Sequence, residues 1–296
     1  MRSPETNGLA PMPGQGGLGW TQAELRPAEF AALVSLVHES CGITMAPSKR
    51  MMLQTRLRKR LRETGLTDFK DYLALLRDRT GEERQAFVDS VVTNETSFFR
   101  ERAHFSFLTR DRLERLAAAN GTNHVALWSS SCSYGEEVYT TAMVAAAAAE
   151  GRDWRFSVLG TDISFSALKH ACRAVYQADQ IKAVPDAYQH CFLRSRDRGA
   201  AKVRIAPEIR QHTKFGHINL MHAAYRPGRM MDVIFCRNTL IYFDAETQQA
   251  ILRRLYQHLR PGGYLILGHA DVSPEKAAPL GLIGNNIYER KIADIS

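Results

Sequence analysis

Trp128-Ser-Ser-Ser-Cys-Ser-Tyr-Gly-Glu-Glu-Val-Tyr139 is the stretch that decides the fold. An apolar segment ends in a loop of small residues that contains Gly135, and a helical segment follows. In doubly wound α/β folds, such a loop lies at the carboxyl end of the first strand, where small nucleotides bind. The stretch therefore predicts an open, mostly parallel sheet with a nucleotide-type site at this loop.

The loop differs from the glycine-rich G-x-G-x-x-G sequence of dinucleotide-binding proteins, because it has one glycine and two acids, Glu136 and Glu137. Carboxylates here would repel a pyrophosphate, which favours the positive end of a helix. They would suit a ligand with an amine or a sulfonium, and S-adenosylmethionine carries both. The alternative is a plain strand-to-helix turn with acidic residues at the helix N-terminus.

Beyond this loop, short apolar runs with β-branched residues alternate with helical patterns, which is typical of a doubly wound sheet. Residues 185–215 are polar and predict a small inserted β element, and Asn286–Arg290 predicts a final antiparallel strand. The predicted strands of the main sheet are Val125–Trp128, Phe156–Leu159, Val233–Cys236 and Tyr264–Leu267, and the predicted helices are Glu137–Ala149, Phe165–Arg173 and Thr247–Leu259.

The N-terminal third has a different pattern. Residues 1–20 are rich in glycine and proline and predict a flexible tail. Apolar residues at helical spacing between residues 27 and 93 predict a small all-helical domain. We therefore expect a tail at residues 1–20, a helical domain at 21–93 and an α/β domain at 94–296.

The 296-residue chain has an ordinary globular composition, with 45% apolar and 24% charged residues. Its net charge of +8 favours an acidic partner, and nucleic acid, an anionic membrane and an acidic protein surface all qualify. The longest apolar run, Ala142–Ala149, is too short to span a bilayer, and residues 1–20 lack the apolar core of a signal peptide. Five scattered cysteines without a C-x-x-C pair argue against a disulfide scaffold and a zinc site, so we expect a cytoplasmic protein without a metal.

Polar residues follow two further predicted strands. Asp162 ends one of them, where an acid can accept hydrogen bonds from ribose hydroxyls; the alternative is that it caps the next helix. Arg237, Asn238 and Tyr242 follow another strand and are predicted to lie in the same crevice. A structural alternative for Arg237 is an ion pair with Glu136.

The segment Thr93–Arg102 joins the two predicted domains. Asn94, Thr96 and Arg100 place polar side chains at this junction, and a junction of domains is a common place for a ligand site. The adjacent pair of phenylalanines is better explained as part of the core.

Together these segments resemble the motifs of the chemotaxis receptor methyltransferase (CheR) family. The resemblance covers about residues 27–290 and implies an all-helical N-terminal domain followed by a Rossmann-like, S-adenosylmethionine-dependent methyltransferase domain with an inserted β subdomain. The segments that carry it are Thr93–Glu101, Ser133–Tyr139, Asp162-Ile163, Phe235–Asp244 and Pro261–His269.

The resemblance also implies roles for individual residues. Arg100 and Arg237 would orient carboxylates, and Tyr242 would lie near the transferred methyl group, so these three take the catalytic roles. The residues implied to surround S-adenosylmethionine are Asn94, Thr96, Arg100, Glu137, Asp162, Asn219, Leu220, Arg237 and Asn238.

The implied reaction moves a methyl group to a glutamate carboxylate of a chemoreceptor and leaves a glutamyl methyl ester and S-adenosylhomocysteine. A glutamate has a reference pKa of about 4.3 and is already ionised at neutral pH, so no general base is needed. The implied partners are the acidic cytoplasmic helices of chemoreceptors, with no nucleic acid and no membrane insertion.

The predicted helix at Lys49–Arg62 carries seven positive and no negative charges. Charge runs are usually solvated faces, but this excess would suit an acidic receptor helix. The residues assigned to receptor docking are Arg56, Arg58, Lys59, Arg60 and Arg62.

Two departures from the family pattern are visible. Tyr134 stands where a small residue is common, and it is expected to narrow the loop beside the ligand. Ser195-Arg196-Asp197 stands where some members have a Gly-x-Gly turn that binds a receptor's C-terminal peptide, so this mode of docking is not expected.

Two other functions compete with receptor methylation. A nucleic-acid methyltransferase would fit the net charge, but enzymes that methylate exocyclic amines carry Asn/Asp-Pro-Pro-aromatic where this chain has Arg237-Asn238-Thr239. A cytosine-methylating enzyme would need a nucleophile, for which Cys236 is the nearest candidate. A non-catalytic sensor that binds the cofactor is the second competing function.

Overall fold

The structure is a computed structural model, which describes residues 22–77, 81–195, 201–274 and 277–292. Two predicted features lie outside these ranges. They are the tail at residues 1–20 and positions 196 and 197 of the Ser195–Asp197 segment. Within them, the chain forms a helical bundle followed by a layered α/β domain.

The helical bundle contains α1 (Pro27–Cys41), α2 (Arg50–Thr64), α3 (Phe69–Leu76) and α4 (Glu82–Val91), with a 3-10 turn at Pro47–Lys49 before α2. The Asp68 carboxylate accepts a hydrogen bond from the Asp71 N–H and so caps the start of α3. Leu33, Leu57 and Phe87, from three of the helices, are buried in one apolar core. Helical spacing of apolar residues thus produces a bundle with a core of its own.

The α/β domain begins with two short helices, α5 and α6. Its elements are α5 (Ala103–Phe107), α6 (Arg110–Ala119), β1 (His124–Ser129), α7 (Glu136–Ala149), β2 (Arg155–Asp162), α8 (Phe165–Arg173), β3 (Val175–Gln177), β4 (Phe192–Arg194), β5 (Lys202–Ile205), α9 (Pro207–Arg210), β6 (Thr213–His217), β7 (Met231–Cys236), α10 (Ala245–His258), β8 (Leu259–Leu267), β9 (Leu280–Gly284) and β10 (Ile287–Arg290). Two further 3-10 turns lie at Asp186–Cys191 and Leu240–Tyr242.

The main sheet has seven strands in the order β6-β2-β1-β7-β8-β10-β9. Strands β6, β2, β1, β7 and β8 are parallel, and β10 is antiparallel to both β8 and β9. This confirms the predicted mostly parallel α/β sheet and the antiparallel final strand. The chain order reverses at β1, so the crevice of the fold opens at the carboxyl ends of β1, β2 and β7.

The inserted β element is a three-stranded antiparallel sheet in the order β3-β5-β4. It begins earlier than the predicted residues 185–215, because β3 starts at Val175. The predicted range also reaches too far, because Thr213–His217 pairs with β2 as an edge strand of the main sheet. This edge strand is polar and only partly buried, so its sequence lacks the apolar run of the inner strands.

The two domains pack closely. The Asp89 carboxylate, near the end of α4, accepts hydrogen bonds from the N–H groups of Phe165 (3.1 Å) and Ser166 (3.0 Å) and so caps α8 from the other domain. The Thr44 N–H donates to the Tyr242 carbonyl at 2.9 Å. The helical bundle therefore forms one wall of the crevice at the end of the sheet.

Candidate functional site

A cleft made of two adjoining cavities lies at the carboxyl ends of β1, β2 and β7. The first has a volume of about 540 Å³ and a mostly apolar lining, the second has a volume of about 500 Å³ and a mostly polar lining, and both volumes include space open to solvent. Both are lined by Thr93, Asn94, Ser131, Asp162 and Thr239, so they form one continuous cleft. We call the two parts the apolar cavity and the polar cavity.

The residues predicted to surround the cofactor all line this cleft. The residues of the polar cavity are Thr96, Arg100, Glu137, Arg237 and Asn238, those of the apolar cavity are Asn219, Leu220 and Tyr242, and Asn94 and Asp162 line both. They come from segments spread over about half the chain, and the parallel strands bring them to one edge. Their individual roles stay predictions.

Arg237 lies at the base of the polar cavity with its side chain almost fully buried. Its Nη1 donates to Glu137 Oε2 at 2.9 Å, and Nη2 lies 3.4 Å from Glu101 Oε2 and donates to the Arg100 carbonyl. Glu137 Oε1 accepts a hydrogen bond from the Ser129 hydroxyl at 2.7 Å. Buried charges need this kind of multiple pairing, because each unpaired one carries a large desolvation penalty.

Glu136 differs from its neighbour Glu137. It is buried and is not among the described residues that line either cavity, and the alternative ion pair between Arg237 and Glu136 is wrong, because the guanidinium pairs with Glu137 and Glu101. Burial raises the pKa of Glu136 from 4.5 to about 7. Of the two acids that were expected to face a cationic ligand, only Glu137 lines the polar cavity, and its role toward a ligand stays a prediction.

Gly135 lets the loop turn sharply into α7. It adopts a φ of +96°, and a Cβ at this position would lie 2.8 Å from the Ala171 Cβ. A side chain would thus be excluded both by the backbone conformation and by α8. Tyr134, beside it, packs its ring against His170 at 5.1 Å between centroids and lines neither cavity in the described part of the chain, so it does not narrow the cleft as expected.

Asp162 sits where the apolar and polar cavities meet. One carboxylate oxygen accepts from the Ser133 N–H at 2.8 Å and the other from the Ser164 N–H at 2.9 Å. It therefore ties the loop after β1 to the start of α8, while Ser164 itself caps the helix by accepting from the Ala167 N–H. Each carboxylate oxygen has a further lone pair, so Asp162 can also accept from a ligand hydroxyl.

The apolar cavity is shared between the two domains. Ile43 and Val92 come from the helical bundle, and Ile163 and Leu220 come from the α/β domain. Asn219 joins the two walls, because its Nδ2 donates to the Ser40 carbonyl at 2.8 Å.

Asp271, which the sequence analysis missed, supports the cleft without being among the described residues that line either cavity. Its carboxylate accepts hydrogen bonds from the N–H groups of Asn238 (2.6 Å), Gly268 (2.9 Å) and Leu240 (3.0 Å). It thereby fixes the turn after β7, in which Asn238 adopts a φ of +54° and donates its side-chain amide to Glu101 at 3.1 Å. The available signal was an acid shortly after a buried strand, which is the same signal that singled out Asp162.

The basic face of α2 is partly committed to contacts within the helical bundle. Arg56 donates to the Val91 and Val92 carbonyls, Arg58 donates to the Ala23 carbonyl, and Arg60 pairs with Glu63 and Glu83. Lys59 and Arg62 are the exposed members of the set, and 68% of the Lys59 side chain is accessible although its Nζ lies 3.8 Å from Glu63 Oε1. The docking role of all five cations stays a prediction, and Lys59 and Arg62 are the two whose side chains are exposed.

Cys236 lies fully buried in β7. Burial raises the pKa of its thiol well above the usual range, so it is held in the protonated, unreactive form. It packs inside the sheet and does not line the cleft in the part of the chain that the structure describes.

The fold and the cleft define an S-adenosylmethionine-dependent methyltransferase. The family model described as "CheR methyltransferase, all-alpha domain" matches residues 28–92, and "CheR methyltransferase, SAM binding domain" matches residues 94–287. The chain belongs to the CheR methyltransferase family. Among the described residues, no helix is long and apolar enough to cross a membrane.

Curated relatives match along most of their length. The "Chemotaxis protein methyltransferase" of Escherichia coli K12 is 36% identical over 266 residues, which cover 89% of this chain and 91% of the relative. That of Salmonella typhimurium LT2 is 35% identical, covering 89% and 90%. The "Chemotaxis protein methyltransferase 2" of Pseudomonas aeruginosa PAO1 is 33% identical over 264 residues, covering 88% and 92%.

Proposed function

We propose that the protein methylates glutamate side chains of chemoreceptors, using S-adenosylmethionine and forming glutamyl methyl esters for adaptation in chemotaxis. The supporting observation is the continuous cleft, in which Asp162 joins an apolar cavity to a polar cavity with the Glu137–Arg237 pair. The names of the relatives support the chemotaxis role.

The residues of the cleft fit the three parts of this cofactor. The apolar walls suit adenine, and Asn219-Leu220 contribute to them. Asp162 has lone pairs left for the ribose hydroxyls. Glu137 offers an anionic group to the amino group of the methionine part, and Asn94, Thr96 and Asn238 offer polar contacts.

The two arginines of the polar cavity have different tasks in this proposal. Arg237 is already paired with Glu137 and Glu101, so it holds these carboxylates in place. Arg100 donates to the Glu95 carbonyl at 2.9 Å and lies at the rim of the polar cavity, where its remaining N–H groups suit a carboxylate. We therefore assign orientation of the substrate or cofactor carboxylate to Arg100 and positioning to Arg237.

The proposed chemistry asks little of the protein beyond positioning. When bound, S-adenosylmethionine supplies a methyl group activated by a sulfonium. The substrate glutamate is ionised at neutral pH and attacks without a base, so alignment and exclusion of water are the contributions of this chain. Tyr242, which lines the apolar cavity, is assigned a place near the transferred methyl group, and no cysteine takes part.

Receptor docking is assigned to the helical domain, residues 21–93. Lys59 and Arg62 present exposed positive charge on α2, and the side chains of receptor methylation helices are acidic because glutamates are the substrates. Exposed charge pairs act mainly on association rate. The proposed partner is thus an acidic receptor helix, and the proposed compartment is the cytoplasm, in keeping with the five free cysteines.

The test uses the full-length protein with tritium-labelled S-adenosylmethionine, receptor-rich membranes and, separately, RNA. Base-labile label on receptor protein is expected, because methyl esters hydrolyse in alkali. Label on RNA and none on receptor would contradict the proposal.

A measurement of cofactor binding by calorimetry tests the cleft. Asp162→Ala is expected to weaken cofactor binding by about tenfold to a hundredfold, because hydrogen bonds to charged groups contribute about 1.5–3 kcal/mol. The matched control is Asp153→Ala, which removes an exposed aspartate just before β2. Calorimetry that gives equal affinities for both folded variants would remove Asp162 from the site.

A further inference from the structure

We propose that Glu101, His104 and His269 form a binding site for a divalent metal ion of the zinc type. Glu101 and His104 lie on either side of the start of α5, and His269 follows the end of β8. One ligand atom from each residue lies within 4.8 Å of the other two. The cysteine spacing gave no sign of this site, because its residues are two histidines and a carboxylate from distant segments.

His104 is the anchor of the cluster. Its side chain is fully buried, and Nε2 lies 2.7 Å from the Asn285 carbonyl. A carbonyl can only accept, so Nε2 carries the hydrogen and Nδ1 presents a lone pair. A histidine that ligates a metal typically donates its other ring N–H to a carbonyl in this way, which fixes the tautomer and orients the ring.

The lone pair of His104 faces a second acceptor. Nδ1 lies 3.4 Å from Glu101 Oε2, and both atoms are buried without a hydrogen bond among the described residues, although Oε2 also lies 3.4 Å from Arg237 Nη2. Two buried acceptors that face each other leave a position for a positive charge. Zinc bonds of about 2.0–2.2 Å in a tetrahedron place ligand atoms about 3.4 Å apart, so this pair already has the required separation.

His269 completes the set from the solvent side. Its Nε2 lies 3.9 Å from Glu101 Oε2, and 61% of its side chain is exposed. The three ligand atoms lie within 4.8 Å of one another, so metal binding would draw His269 inward, and its exposure provides the entry path for the ion. Two imidazoles and one carboxylate match the preference of zinc and leave a fourth position for water.

Arg237 is the competing cation. Its Nη2 lies 3.4 Å from Glu101 Oε2. On metal binding, Glu101 Oε2 would coordinate the ion in place of its contact with the guanidinium. Arg237 would retain its ion pair with Glu137 and its hydrogen bond to the Arg100 carbonyl. The site therefore borders the polar cavity without using any residue that we assign to the cofactor as a metal ligand.

The experiment measures metal binding directly and needs no methyl transfer. Full-length protein carrying Cys172→Ser, which removes an exposed thiol as a source of nonspecific metal binding, is freed of metal with EDTA. It is then dialysed against Zn²⁺, with Mg²⁺ as a hard-ion comparison, and loaded with Co²⁺ to record its visible absorption. We expect one Zn²⁺ per chain, no Mg²⁺, and an intense cobalt band typical of tetrahedral coordination.

Variants identify the ligands. His269→Ala removes an exposed side chain and should leave the fold intact, and we expect it to weaken Zn²⁺ binding at least about tenfold and to abolish the zinc-induced rise in Tm. The matched control His222→Ala removes another exposed histidine and should bind like the parent. Glu101→Gln removes the charge of the proposed carboxylate ligand and is a second test of the three-residue metal site.

Two results would overturn the proposal. One is the absence of stoichiometric Zn²⁺ in the parent protein. The other is binding that is equally tight in His269→Ala, Glu101→Gln and His222→Ala, which would mean that the ion binds elsewhere. Neither result bears on the proposed methylation, because the readouts are metal content, absorption and Tm.

Discussion

Glu136→Gln should stabilise the protein at neutral and alkaline pH but not in acid. Glu136 is buried at the start of α7, its Oε2 has no hydrogen-bond partner among the described residues, and burial raises its pKa from 4.5 to about 7. The folded state therefore holds the proton more firmly than the unfolded state. Below pH 4.5 both states are protonated and the carboxyl costs nothing, whereas above pH 7 the folded state carries a buried charge.

The size of the effect follows from the two pKa values. One pH unit of separation corresponds to about 1.4 kcal/mol, so a rise from 4.5 to about 7 corresponds to a loss of about 3 kcal/mol in the free energy of unfolding. Glutamine keeps the shape but cannot ionise. The stability difference between variant and parent should therefore grow by about 3 kcal/mol between pH 4.5 and pH 8.

Urea unfolding followed by circular dichroism at a series of pH values measures this difference. Glu246→Gln is the matched control. Glu246 is exposed and lies in the first turn of α10, which has the same length as α7, 14 residues. A stability difference for Glu136→Gln that does not change with pH would refute the reasoning. A pH dependence of equal size in the control would refute it as well.

Cys236→Ser should keep most methyl transfer to receptor, since a carboxylate substrate needs no enzyme nucleophile; complete loss of activity with intact cofactor binding would revive cytosine methylation. Asp271→Asn replaces an acceptor of three N–H groups, so kcat/KM should fall at least about tenfold, as expected when a hydrogen bond worth about 1.5–3 kcal/mol is lost; initial rates equal to those of the parent would contradict this role. The pair Lys59→Glu and Arg62→Glu should raise KM for receptor at low salt and leave cofactor affinity unchanged, with a smaller effect as salt screens the charges over about 8 Å. Lys70→Glu, which reverses an exposed charge on α3, is the control for that pair, and equal KM values for both would make α2 an ordinary solvated surface.

The sequence predicted the composition of the cleft well because of one geometric rule. Residues that follow buried parallel strands meet at one edge of the sheet, so Asp162, Arg237 and Asn238 had to lie close together. The inner strands were visible for a similar reason, since they are continuous apolar runs. Edge strands such as Thr213–His217 lack this signal, and only their pairing with β2 identifies them.

Pairing of charges was less predictable. Glu136 and Glu137 are neighbours in sequence, but they lie about 100° apart around a helix axis, so which of them meets Arg237 depends on how α7 packs. Similarly, composition cannot distinguish a solvated arginine from Arg58, which donates to the Ala23 carbonyl of a segment 35 residues away. Asp271 follows β8 by four residues and so carries the same signal as Asp162, but its three backbone N–H partners in two separate turns could not be read from the sequence.

The apolar cavity has a consequence for the molecule as a whole, because Ile43 and Val92 of the helical bundle and Leu220 of the α/β domain line it together. A ligand bound between the two domains stabilises their contact, since separating the domains would also remove one wall of its binding site. By thermodynamic reciprocity, whatever tightens the contact between the domains raises the affinity for the ligand, and the ligand tightens the contact by the same factor. The Asp89 cap on α8, which is not among the described residues that line the cleft, is one such contact between the domains.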